Sequence, residues 1–160
     1  IEKIIPPRQS RNHIFSLVQT IFSFTPTSNK TDFRAPLEYL ARVSGPKALI
    51  FLLSDFMAPL EEHASHLKVV SRKHDFLAIR CLDPREHRFP EAGTLLFEDM
   101  ETGRVETIES TALEIEQALH AWHTKQKEQL QAARIDSLDI EVGSIYKGPL
   151  VRFLRHRVLG

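Results

Sequence analysis

Lys47–Met57, KALIFLLSDFM, is the stretch that decides the architecture. Ala48 to Leu53 is an unbroken apolar run that stops at Ser54-Asp55, and a helical pattern follows. Such a run reads as a strand buried on both faces, the kind found in parallel sheets. Open α/β sheets bind ligands beyond the carboxyl ends of their strands, so Asp55 stands where such a fold does its chemistry. A turn aspartate capping the next helix accounts for the same spacing.

On the amino-terminal side, Ile1 to Ile5 reads as a short β piece stopped by Pro6-Pro7. Ser10 caps an expected helix to about Phe24, with Ile14, Leu17, Val18, Ile21 and Phe22 on one face. Thr31-Asp32 opens a second helix to about Val43, with Pro36 tolerated in its first turn. Phe33, Leu37, Tyr39 and Leu40 are its expected apolar contacts, and Ser44-Gly45-Pro46 closes it. On the carboxyl side, Pro59 starts a third helix to about Lys73, carrying Leu60, Ala64, Leu67 and Val70 inward. Asp75 to Leu82 is a second apolar strand ended by Asp83-Pro84. Gly93 to Glu98 and Val105 to Ile108 form a small hairpin, in which Gly103 suits a positive φ. Ser110 or Thr111 caps a long helix to about Ala133, Ser137 to Val142 is a strand, and Pro149 to Val158 is a closing helix. Alternation of this kind implies a mostly parallel sheet with helices on its faces.

At 160 residues the chain is one domain of ordinary size. Acidic and basic residues balance at 21 each, so there is no global field to draw nucleic acid or an anionic membrane. The single cysteine, Cys81, excludes an intramolecular disulfide framework and reads as apolar filler in its strand. No apolar run is long enough to cross a bilayer, and no signal-peptide pattern opens the chain. The chain begins at Ile1 without a methionine and is read as a piece of a longer protein.

Four segments together resemble the carboxyl-terminal part of the bacterial family called domain of unknown function 58. They are IEKIIPPR, KTDFRAPLEYL, FLLSDF and HDFLAIRCLDPREHRFPEAGTLLFEDMETGRVETI. The strongest marker is the set Asp83, Pro84, Arg85, Glu86, Pro90, Gly93, Asp99, Glu101, Thr102 and Gly103. The resemblance runs from about Ile1 to about Phe153. It implies an α/β fold of Rossmann-like, von Willebrand factor A type, as a single domain over residues 1–160 whose amino-terminal strands are missing. In such domains three loops build a metal-ion-dependent adhesion site. The resemblance places its threonine on Thr31 and its third-loop aspartate on Asp55, with Ser54 and Asp32 as outer neighbours. The Asp-x-Ser-x-Ser motif of the first loop occurs nowhere in this sequence. Mg²⁺ is therefore expected in the full-length protein and not in this piece. The missing strand would lie beside the Lys47–Leu53 strand, leaving an apolar edge for homodimerisation, swapping or cover by Ile1 to Ile5.

What the resemblance implies about function is a non-catalytic protein-interaction module. It would work as an adaptor with a MoxR-type AAA ATPase in metal-dependent assembly or maturation of protein complexes. The implied setting is cytoplasmic, with no membrane contact by this segment and anchoring left to upstream segments. The alternative is a small metal-assisted phosphate hydrolase using Asp55.

Other constellations carry bland readings. His63 and His66, three apart with His74 nearby, could share a zinc ion, but no motif fixes a third ligand, and a solvated helix face is preferred. Asp83, Glu86 and His87 read as a structural turn. His120 and His123 flank Trp122 in packing and surface roles. Arg152, Arg155, His156 and Arg157 form a basic helix end of the sort a helix carboxyl terminus favours.

Overall fold

The computed structural model of the chain describes residues 1–28, 30–43, 45–84, 95–98, 103–108 and 111–158. Three strands, β1 (Leu49–Ser54), β2 (Asp75–Leu82) and β5 (Asp136–Glu141), form an all-parallel sheet in the order β1-β2-β5. β3 (Leu95–Glu98) and β4 (Val105–Ile108) pair antiparallel as a separate hairpin. The helices are α1 (Arg11–Ser23), α2 (Arg34–Arg42), α3 (Ala64–Lys73), α4 (Ala112–Ala132) and α5 (Lys147–Val158). This is a Rossmann-like α/β architecture, because parallel neighbours need crossover connections and helices supply them. Here α3 links β1 to β2, and the hairpin with α4 links β2 to β5.

Register decides which side chains share a face. Ile50 lies opposite Phe76, Leu52 opposite Ala78 and Ser54 opposite Arg80, while Arg80 also lies opposite Asp139. The Phe76–Ala78 face carries the main core. It joins Phe33 and Leu37, Phe56 and Leu60, Leu67 and Val70, and Leu130 with Ala133 and Ile135 in a single apolar core. Leu77 and Ile79 on the opposite face of β2 are buried as well. His74 ties this layer to β1: its Nδ1 accepts from Ala48 N (3.4 Å), and its Nε2 lies 3.3 Å from Leu40 O. Lys73 Nζ donates to the neighbouring Ala41 carbonyl (2.8 Å).

The helix ends follow the sequence chemistry. Ser10 Oγ accepts from His13 N, and Thr111 with Glu114 completes a capping box at the start of α4. α4 stops in a Schellman turn: Ile135 N donates to Leu130 O and Arg134 N to Gln131 O, with Arg134 at φ 57°. Burial of Ala133 and Ile135 on either side holds a non-glycine residue in that conformation.

Several expectations shift. β1 is not buried on both faces. Among the described residues it is an edge strand, with Leu49 (53% exposed), Phe51 (39%) and Leu53 (63%) open and Ile50 and Leu52 half-buried. A continuous apolar run does not by itself separate a central strand from an edge strand. Ile1 to Ile5 joins no ladder among the described residues. The Glu2 carboxylate instead accepts from Thr27 N (2.8 Å) and Ser28 N (2.9 Å), and these bonds hold its pKa below the ordinary value. Of the apolar stripe expected on α1, Ile14, Val18, Ile21 and Phe22 face outward and Leu17 is half-buried. Tyr39 is also exposed. The helix expected from Pro59 begins as a 3₁₀ turn over Glu61–His63 and becomes α-helical at Ala64. Gly103 takes φ 67°, as its turn requires. Arg85, Glu86, His87, Pro90, Gly93, Asp99, Glu101 and Thr102 lie outside the described residues.

Candidate functional site

Asp55 follows the last residue of β1, at the carboxyl rim of the parallel sheet. Three hydrogen bonds hold the turn around it. Ser54 Oγ donates to Asp55 Oδ1 (3.3 Å) and accepts from Phe56 N (3.1 Å), and Met57 N donates to Asp55 Oδ1 (3.2 Å). Both bonds to the carboxylate fall on Oδ1; among the described residues none falls on Oδ2. Phe56 is the anchor. Its ring is fully buried and stacks on Phe33, centroids 5.8 Å apart, and its carbonyl accepts from Trp122 Nε1 (3.1 Å).

Phe56 also sits at φ 58°. A bulky side chain in the left-handed region costs on the order of 1–3 kcal/mol and persists only when its surroundings over-determine it. Burial, ring stacking and the Trp122 bond supply that determination. Their effect is to point the backbone so that Phe56 goes into the core while Asp55 stays exposed.

The loop carrying Thr31 adjoins this turn. Phe33, two residues after Thr31, is the ring that stacks on Phe56, so the Thr31 and Asp55 loops are joined through their own buried anchors. Thr31 and Asp32 are both exposed. Asp32 Oδ1 accepts from Arg34 N (2.9 Å) and Ala35 N (3.3 Å), which occupies that oxygen as the cap of α2. Ser54 is committed to the turn and is half-buried. Among the described residues no group of three or more His, Cys, Asp or Glu side chains could hold a metal ion. Thr31 and Asp55 offer one hydroxyl and one carboxylate, both hard oxygen donors of the type Mg²⁺ takes.

The histidines scatter. His63 packs edge-on against Phe33 (6.0 Å), His66 Nε2 lies 3.7 Å from Glu38 Oε1, and His74 is the buried tie described above. Glu38 also pairs with Arg34 and Arg42, and the Arg34 hydrogen bond above all holds its carboxyl below the ordinary value. Arg152 and Arg155 are exposed on α5. His123 is buried, whereas His120 is exposed.

Two features escape a reading of the sequence. Phe56 and Phe33 act as anchors of the rim, and nothing in their spacing announces it. Arg80 is 3% exposed, donating from Nε and Nη2 to Asp139 (2.7 and 3.0 Å) and from Nη1 to His123 O (2.7 Å). A charged residue inside the apolar run FLAIRCL was the available signal, since a buried arginine needs a partner.

Comparison with known proteins fits this anatomy. The family model described as protein of unknown function DUF58 matches residues 1–129. Uncharacterized proteins of Mycobacterium bovis and Mycobacterium tuberculosis are 28% identical to the chain over 103 residues, 63% of it and 32% of their own length. An uncharacterized protein of Mycobacterium avium is 29% identical over 101 residues, 62% of the chain and 59% of that protein. The chain thus spans about a third of the first relatives and about three-fifths of the last. No solved structure matches significantly. No helix among the described residues is long and apolar enough to cross a membrane.

Proposed function

The chain belongs to the DUF58 family, and on that premise we propose that it is a non-catalytic protein-interaction module whose working surface is the rim bearing Asp55 and Thr31. The observation that carries this reading is the Asp55 turn. A strained, fully buried Phe56 fixes an exposed carboxylate at a strand end, beside the loop of Thr31. Strain of this kind gathers at functional sites because the surroundings must maintain it.

In the complete protein Asp55 and Thr31 would hold Mg²⁺, with Ser54 and Asp32 orienting them from behind. A bound Mg²⁺ keeps several waters and can exchange one for a carboxylate of a partner protein. The residues of this chain fix the loops and supply two of the oxygen ligands. The partner this reading implies is an AAA ATPase of the MoxR type, served as an adaptor in assembly or maturation of protein complexes, on the cytoplasmic side. The bare β1 edge, uncharged from Ala48 to Ser54, is assigned to self-association. A metal-assisted phosphate hydrolase using Asp55 would need a second carboxylate or general acid converging on it, and no observation favours that alternative.

Calorimetric titration with Mg²⁺ tests the reading on the complete protein and on the 160-residue chain. The complete protein should bind, Asp55→Ala should abolish binding, and capture of the ATPase should require both Mg²⁺ and Asp55. Micromolar binding by the chain alone, or capture unaffected by Asp55→Ala, would contradict the assignment.

A further inference from the structure

A second polar site lies between α4 and the carboxyl halves of β2 and β5. It is a cleft of about 260 Å³ lined by Arg80, Leu82, His120, His123, Thr124, Lys127 and Asp139. Its charge is unbalanced. Arg80 and Lys127 face one carboxylate, Asp139, whose two oxygens are taken by Arg80 Nε and Nη2, with Lys127 Nζ 3.6 Å from Oδ2. One full positive charge is therefore left over, on a lysine that is about half exposed.

The donors are unbalanced too. A guanidinium carries five N–H groups in a planar fork. Three are used, two by Asp139 and one by the His123 carbonyl. The carboxylate takes the side of the fork that includes Nε, so each terminal nitrogen keeps one further N–H. Unused guanidinium N–H groups beside a lysine are donors of the kind carboxylate and phosphate oxygens accept from. Arg80 is held there rigidly by burial and by its partners. Thr124 and Lys127 add a hydroxyl and an ammonium from α4, with the His120 imidazole one turn earlier on the same side of that helix.

We infer that this cleft binds a small tetrahedral oxyanion, of which phosphate is the type. Its volume of about 260 Å³ has room for a phosphoryl group. Asp139 positions Arg80 without being a ligand. This inference does not depend on the proposal made for the Asp55 turn.

The test is a titration of the ¹⁵N-labelled chain with inorganic phosphate, at constant pH and ionic strength set with chloride, read by amide chemical shifts. The expected result is a saturable shift confined to residues 80–82, 120–127 and 139. Lys127→Ala should weaken it about tenfold, the loss of one charge-assisted hydrogen bond. Thr124→Val should weaken it less, and neither exposed variant should alter the fold. Acetate at the same concentration should bind more weakly. O-phosphoserine binding as well as phosphate assigns the site to a phosphoryl group carried on another molecule; phosphate binding alone assigns it to the free anion. The inference is overturned if phosphate does no more than chloride, if acetate matches phosphate, if the shifts lie elsewhere, or if Lys127→Ala leaves the affinity unchanged.

Discussion

Asp139→Ala should be among the more damaging single substitutions outside the apolar core. It removes the carboxylate that takes two of the three Arg80 hydrogen bonds and leaves a cation only 3% exposed with a single carbonyl partner. Breaking a fully buried pair costs about 3–5 kcal/mol. Asp139 itself is one-third exposed, so water reaches the pair and screens it. We therefore expect a loss of about 2–3 kcal/mol, or about 4–12 °C in Tm for a chain of this size. Arg80→Met alone should cost less, because the orphaned carboxylate can hydrate and keeps Lys127 nearby. The double variant Arg80→Met/Asp139→Leu should recover to within about 1 kcal/mol of wild type, since apolar replacement of a buried pair is often neutral. Urea denaturation at pH 7, followed by circular dichroism on Asp139→Ala and on wild type, Arg80→Met, Asp139→Leu and the double variant, closes the cycle over the last four proteins. The reasoning fails if Asp139→Ala costs under about 0.5 kcal/mol, a change typical of an ordinary surface site. It fails equally if the double variant is no better than the sum of the singles.

The same pair sets a pH signature. Burial works to raise the Asp139 carboxyl, but the Arg80 bonds and charge, with Lys127, leave it below its ordinary value. A depressed folded-state pKa contributes stability above the unfolded value, near 3.9, and that contribution is lost as pH falls through the folded value. Denaturation midpoints measured from pH 6 to pH 2.5 should fall less steeply in Asp139→Asn than in wild type. His74→Ala should destabilise by about 1–3 kcal/mol in chemical denaturation, because it leaves the Ala48 amide and Leu40 carbonyl without their buried partner. Thr111→Ala should cost about 1 kcal/mol by removing the side-chain cap of α4, again read by denaturation. Leu53→Lys should lower the solution mass from dimer to monomer by light scattering if β1 is the self-association edge; a wild-type monomer at every concentration ends that idea.

The alternation of strand and helix is legible from residues alone. So are the caps at Ser10 and Thr111 and the inward sides of α2 and α3 at Leu37, Leu67 and Val70. These are local signals: hydroxyls before a periodic run, and apolar residues at helical spacing. What is not legible depends on neighbours distant in sequence. Whether the apolar run of β1 lies inside a sheet or at its edge is settled by what pairs with it. The outward stripe of α1 obeys the right period and has no partner among the described residues to face. At the rim, Asp55 is readable from its place after a strand, and Thr31 only from a family resemblance. Phe56 at φ 58° is invisible, because nothing in SDFM marks the aromatic residue as the one in the left-handed region. The pairing of Arg80 with Asp139 spans 59 positions and follows from strand register, which one sequence leaves open.

The hydrogen bond from Trp122 to the Phe56 carbonyl gives the molecule a built-in optical probe. Trp122 is the sole tryptophan, so every indole photon comes from the junction between the long helix and the Asp55 turn. Emission wavelength and quenching would track cation loading or partner capture at that turn, with no dye attached and no second fluorophore of its kind to subtract.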